Sequence, residues 1–571
     1  MGSFKLSLGT LQRKEKREKN VKKIVSGLML ILWLLSILSV AVNIEPARSE
    51  WTGTVYIRAD GRIDPSDAPV ITDDNITYTL TDNITSSNSG IIVERDNITI
   101  NGAGFAVQGI GSFPGIGVKL YHRSNVTIAN MTIAGFETGI SLSESNDCSL
   151  FDNIITDCLR GISLFGSANN KLRRNEMMAN QHNLAVDGYR FLHFVQDIDT
   201  SNTVNEKPIY YLHNKQKMEI PLDAGYVALI NCTEMTIKNL TLMNNEPGIL
   251  AVFTKDSLIT NNIIMSNSYG ISLYNSSNNV IVNNNITANG HVGIYVDGSF
   301  NTIKNNIVTH HLSVGISIYS PNNTLIGNTV TNTLEVAINL CSSNNTLYDN
   351  VIKDNFCGID SGSSDNIIYH NNFVNNTQHV YLYDTQTNIW DKGYPSGGNY
   401  WSNYTGADLY SGPHQNVTGG DGIGDTFYVI NENNTDRYPL MAPFKSFNAS
   451  LNQIVDIISN STIEDIQYFE SNGTLVMYVS NVTTNQTCGF CRLTIPHNLL
   501  PPPYYITVNN IPVDYVTIFE NQTLSIIYFT YKHSTLKIVI IPESPPTITL
   551  IALIVSTTLI VILTKRRKKK M

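Results

Sequence analysis

The sequence predicts an all-β protein: a right-handed parallel β-helix with coils of about 22 residues, followed by a small β-sandwich, with hydrophobic segments at both termini. Three observations predict it. A small residue followed by Ile recurs at Gly139 and Gly161, then at Gly248, Gly270, Gly293, Gly315, Ala337 and Gly358, in steps of 21 to 23 within each run. A second marker, Asn before an apolar-rich strand, recurs at Asn130, Asn153, Asn239, Asn262, Asn285, Asn306, Asn328, Asn350 and Asn372. Charged residues make up only 15% of the 571, against 42% hydrophobic, which suits an ordered stack with a polar, mostly uncharged exterior.

The elements follow in chain order. Residues 1–23 are basic, and 24–42 form an apolar run that reads as a signal peptide or signal anchor. Residues 51–96 are expected to cap the helix, which occupies 97–389 as about ten coils with an insertion at 184–232. A Gly- and aromatic-rich block, 390–445, must cover the last coil, because strands left open would pair with other chains. Residues 446–542 alternate without the period and read as the sandwich. The run 547–564 ends in six consecutive cations within the tail 565–571 and reads as a transmembrane anchor. Basic flanks stay cytoplasmic, so the bulk of the chain is placed outside the membrane.

Each coil holds short alternating segments, such as Ile271-Ser272-Leu273, which cannot bury an apolar face alone. Stacking pairs each strand with its counterpart and forms an apolar column. Asn recurring at one coil position is expected to bond to the Asn above and below, as a structural ladder. Gly at the other marker supplies either a positive φ or room for close approach. A leucine-rich repeat would need a Leu pattern that is absent, and a propeller blade about 40 residues.

Charge narrows the function. Residues 51–564 carry 23 basic against 43 acidic side chains, which excludes nucleic acid as a partner and favours neutral glycans or cations. Twenty-one Asn-x-Ser/Thr sequons fit a glycoprotein, and the seven cysteines form no disulfide framework. The candidate substrate-binding residues are Tyr189, Arg190, His193, Asp197 and Asp199 in the insertion, and Tyr274, Tyr295 and Tyr319 on the coils. Asp408, Asp421 and Asp425 place carboxylates around a Gly turn, as calcium sites require. Met243 and Met265 stand 22 apart, a spacing of interest for copper, but read as core-filling side chains.

The segments VYIRADGRIDP (55–65) and VERDNITINGAG (93–104), the GISL coils, and the block from WDKGYPSGGNYWSNYTG to DRYPL (390–440) resemble the periplasmic copper-binding NosD family. They look most like archaeal surface versions with a C-terminal anchor. The resemblance implies a right-handed β-helix of the carbohydrate-binding and sugar-hydrolysis type, and the family name implies copper delivery. The reading is a membrane-anchored surface protein that binds glycans or other envelope proteins without catalysis. The alternatives are a polysaccharide hydrolase or lyase, and a copper-delivery protein of NosD type.

Overall fold

The computed structural model describes residues 51–543, apart from 384, 451–452 and 533–535. The expected segments 24–42 and 547–564 lie outside the described residues, among which no helix is long and apolar enough to cross a membrane. The chain divides into a unit up to Thr52 and a unit from Gly53, and all that follows concerns the second.

The architecture is all-β, a parallel solenoid of about 14 turns. Stacking begins at Val55–Ile57, which pairs in parallel with Ile91–Val93, so the stretch read as a cap already contributes rungs. Short antiparallel partners, Ile63–Asp64 and Val70–Ile71, cover the two outermost strands there.

The core is built from one inward side chain per strand in vertical columns. Ile259, Ile281, Ile303, Leu325, Leu347 and Ile368 form one column through successive parallel pairings. Ile271, Ile294, Ile316, Ile338 and Ile359 form another. These side chains are 0 or 1% exposed, and each contributes about 1.5–3 kcal/mol by leaving water.

The corners carry three Asn ladders rather than one. The first runs Asn262, Asn284, Asn306, Asn328, Asn350, Asn371 and Asn399, each Oδ1 accepting from the backbone N–H and the Nδ2 of the preceding residue where both bonds are made. The second includes Asn279, Asn301, Asn323, Asn345, Asn366 and Asn388. The third includes Asn245, Asn267 and Asn289, then passes His311 and Thr333 to reach Asn355 and Asn376. Asn153 heads a shorter ladder with Asn175 and Asn202 before the insertion. Asn130, Asn239 and Asn285 face outward, and Asn372 bonds to the Phe444 backbone, so these four lie off the buried column.

The Gly marker is explained by space. A Cβ on Gly270 would stand 2.4 Å from the Gly293 carbonyl oxygen, and one on Gly315 would stand 2.6 Å from that of Ala337. Neither glycine has a positive φ.

The insertion is built into the stack. Gln196 takes a ladder position above Asn170, and Asp197–Ile198 pairs in parallel with the strand Lys171–Arg173. Thr203–Val204 then reverses in a hairpin into Lys207–His213, which pairs with Tyr226–Ile230. As a result, the second strand of each coil before the insertion (as in Ile154–Thr156) and the third strand of each coil after it (as in Tyr269–Tyr274) share one sheet. The sheet holding the earlier GIS segments ends at His182–Asp187.

At the far end Trp401 stacks on Phe373 at 4.3 Å and Tyr428 on Trp401 at 4.2 Å, closing the apolar column. The Asn ladders end there too. Asn434 Oδ1 accepts from Asn388 N and Trp390 Nε1, and Asp436 Oδ2 from Asn399 N and Trp401 Nε1. Beyond this cap, two five-stranded antiparallel sheets form the sandwich.

Candidate functional site

Along the sheet that contains Tyr269–Tyr274, every other residue points outward, and tyrosines on successive rungs meet. Ring centroids of Tyr274 and Tyr295 are 5.1 Å apart, and so are those of Tyr295 and Tyr319. Phe194 from the insertion extends the series by stacking on Tyr274 at 5.8 Å. Tyr295 is flanked in register by Ser272 and Ser317, and Asn339 and Asp360 follow in the same column. Burial pushes the Tyr295 hydroxyl up to about 12 and raises Tyr274 further, so both remain neutral donors.

The insertion residues divide between two places. Tyr189 is exposed, packs edge-on against Phe165 and His193, and lies under the Arg190 guanidinium. His193 is buried, and burial lowers its pKa. Asp197 and Asp199 both pair with Arg173, at 2.6 and 2.9 Å. Asp197 belongs to a different sheet from the tyrosines, so the two groups of candidates do not form one site.

A cluster that the repeat pattern did not reveal lies where the earlier sheet ends. Glu246 bridges Ala185 as the next rung beyond His182–Asp187, its N–H donating to Leu184 O at 3.1 Å. Arg160, two rungs back, reaches past His182 to hold the Glu246 carboxylate at 2.8 Å. Crowding by protein raises the Asp187 carboxyl, against the Gly188 N–H and with help from the Glu246 charge. Burial raises Tyr269, with help from the same two carboxylates, and the Gly248 N–H, two residues beyond Glu246, donates to Tyr269 O at 2.9 Å at the start of the strand that carries Tyr274. The cluster therefore stands at the end of the tyrosine series. Tyr226 is 0% exposed, and among the described residues neither its hydroxyl nor Nδ1 of His182 has a hydrogen-bond partner. A sequence signal existed: charged residues occupy 160, 246 and 187 in coils whose matching positions are mostly neutral.

The backbone of the acidic Gly turn is held by its own carboxylates. Asp408 accepts the N–H groups of Asp421 and Gly422 at 2.8 Å each, Asp421 accepts that of Ile423, and Asp425 those of Leu409 and Tyr410. The cation facing them is the buried Arg492, whose Nη1 donates to Asp421 O at 2.6 Å. Among the described residues no group of three His, Cys, Asp or Glu side chains is placed to hold a metal ion.

Copper delivery needs sulfur or imidazole donors that converge. Met243 and Met265 do stack in register, but on the outside of the coil, Met243 being 37% exposed, which corrects the expectation that they fill the core. Of the imidazoles, His311 and His370 are buried and turned to backbone carbonyls, and burial lowers both to about 4. Cys488 and Cys491 are free thiols, one exposed and one buried. Among the described residues the donors do not form a copper set.

No curated protein matches the chain. Among solved structures it is similar to the Dettilon tailspike protein gp208, with 13% identity over 80% of this chain and 87% of that one, at a TM-score of 0.26. It is also similar to the periplasmic alginate epimerase AlgG (11% identity, 55% and 76% covered, TM-score 0.25). A third is the Azotobacter vinelandii mannuronan C-5 epimerase AlgE6 A-module (14% identity, 60% and 90% covered, TM-score 0.26). Residues 54–210 and 201–406 match the family described as periplasmic copper-binding protein (NosD), and the chain belongs to that family.

Proposed function

We propose that this protein holds a neutral polysaccharide along its tyrosine face, outside the cytoplasmic membrane. One observation carries the reading: Tyr274, Tyr295 and Tyr319 form a continuous aromatic series along the helix axis, with the buried Phe194 packed against its end. Sugar rings present flat C–H faces that pack on aromatic rings, and the half-buried Asn339 beside the series offers an amide partner. The acidic excess of residues 51–564 repels polyanions, so a neutral chain is the better ligand. The basic-flanked run 547–564 supports anchorage at the cell surface, with other envelope proteins as further partners.

Retention of the purified protein in gels containing soluble xylan, mannan, dextran or mixed-linkage glucan tests this. Tyr295→Ala is expected to weaken retention by at least one such polymer about tenfold, the loss of one aromatic anchor. Tyr348→Ala removes half of a stacked pair on another sheet and is expected to leave retention unchanged. Equal effects from both variants, or no retention by any polymer, would overturn the reading.

A further inference from the structure

We infer that the cluster at the end of the earlier sheet is a hydrolytic site for the same polysaccharide, with Asp187 and Glu246 as its acid and base. The inference rests on the glycan reading, because the tyrosine series is what would lead a chain to these residues. Four features carry it. Glu246 occupies the rung beyond Ala185, and Asp187 lies two residues along that same strand, at its open end. Two carboxylates are therefore presented at one step in the solenoid, beside the strand Tyr269–Tyr274, whose Tyr269 O accepts the Gly248 N–H. The two are unlike. Glu246 pairs with Arg160 at 2.8 Å, whereas among the described residues Asp187 has no cation and one backbone N–H as its donor. Finally, the Tyr226 hydroxyl is buried, unpartnered and close enough to Glu246 to feel its charge, a donor with no structural bond to make.

Different surroundings assign different roles. Crowding and, to a smaller extent, the Glu246 charge raise the Asp187 carboxyl, the direction a general acid needs. Asp187 gives its proton to the glycosidic oxygen as the bond from that oxygen to the anomeric carbon breaks, the electron pair leaving with the oxygen. A water oxygen forms the new bond to the anomeric carbon and passes its proton to Glu246. Solvent returns that proton to Asp187, so the balance is one glycosidic bond and one water consumed and two chain ends formed. Arg160 and Tyr226 act as positioning residues through Glu246.

The test uses the full chain in detergent with the four polymers above, reading both gel retention and release of reducing ends. The wild type is expected to release reducing ends from a polymer it retains. Asp187→Asn and Glu246→Gln are each expected to lower release at least about 100-fold with retention kept, as loss of a general acid or base does. Asp465→Asn, in the sandwich strand Thr462–Phe469, controls for nonspecific damage and should leave release unchanged. Arg160→Lys keeps the charge and is expected to shift the pH profile of release. Retention without release, or full release by both carboxylate variants, would overturn the hydrolytic site and leave the glycan reading standing. Absence of retention would overturn both.

Discussion

An Asn at position 306 and an Asn at 285 look alike in the sequence, yet only one of them is structural. Asn306 Nδ2 donates to Ile281 O and Asn328 Oδ1, while its Oδ1 accepts from both the N–H and the Nδ2 of Asn284. Truncation leaves the Asn284 N–H without its acceptor and takes a donor from Ile281 O and from Asn328 Oδ1 in a dry corner, at about 1–3 kcal/mol for each group that water cannot reach. Asn306→Ala is therefore expected to destabilise by about 2–4 kcal/mol, seen as a lowered denaturant midpoint. Asn285→Ala, on an outward position, should stay within about 0.5 kcal/mol. Equal losses would show that the ladder does not carry stability. The sequence showed the period of this ladder but not always its member. Asn occurs in doublets and triplets at the corner, where one residue faces inward and another, such as Asn283 or Asn305, takes a positive φ that Asn tolerates. Both uses favour the same residue type, so composition alone does not separate them.

At the scale of the strand, the small-residue marker reports how closely coils approach. A side chain at Gly270 would press on the Gly293 carbonyl and on Ile286. Gly270→Val is expected to destabilise by about 2–3 kcal/mol through overpacking. Ala337 already carries a Cβ at the equivalent place and is fully buried, and Ala337→Gly should lower stability by about 0.5–1 kcal/mol. Thermal midpoints of the two variants check the ordering, and a harmless Gly270→Val would discount close approach as the reason for the marker. The strands were legible because each needs only one inward Ile or Leu every coil. The exchange of sheets at the insertion was not. A hairpin of two-residue Thr203–Val204 against Lys207–His213 reverses the chain without disturbing the alternation of apolar side chains on which the period depends. Hence the spacing from Gly161 to Gly248 hides a change of sheet, and the residues gathered there, Arg160, His182, Asp187 and Glu246, seemed unrelated.

Over the whole molecule, the regular coils follow from pattern, whereas the groups with unusual chemistry lie where dissimilar parts meet. Asp349 is one of these. It lines a cleft of about 830 Å³ between a flank of the solenoid and the sandwich, together with Ser446 and Asn460. Burial and the neighbouring Asp456 raise its carboxyl to about 7, against hydrogen bonds from Ser446 and the charge of Lys304. An unfolded aspartate titrates near ~3.9, so between about pH 4 and pH 7 the folded chain binds the extra proton and folding weakens as pH rises. Asp436 acts in the same sense, being raised to about 7 by burial. His311 and His370, lowered to about 4, act oppositely, because over much of that window it is the unfolded chain that binds their protons. The total slope is a near balance of these terms, so the informative quantity is a difference. Asp349→Asn removes one ionisation and keeps the shape. Relative to wild type it should be nearly neutral at pH 4 and increasingly stabilising above, reaching about 1–2 kcal/mol by pH 8 once screening at this partly exposed group is allowed for. Thermal midpoints of the pair across that range read it directly. A constant offset between the two proteins would mean that the carboxyl titrates alike in the folded and unfolded chains, and that the seam between solenoid and sandwich is open to water.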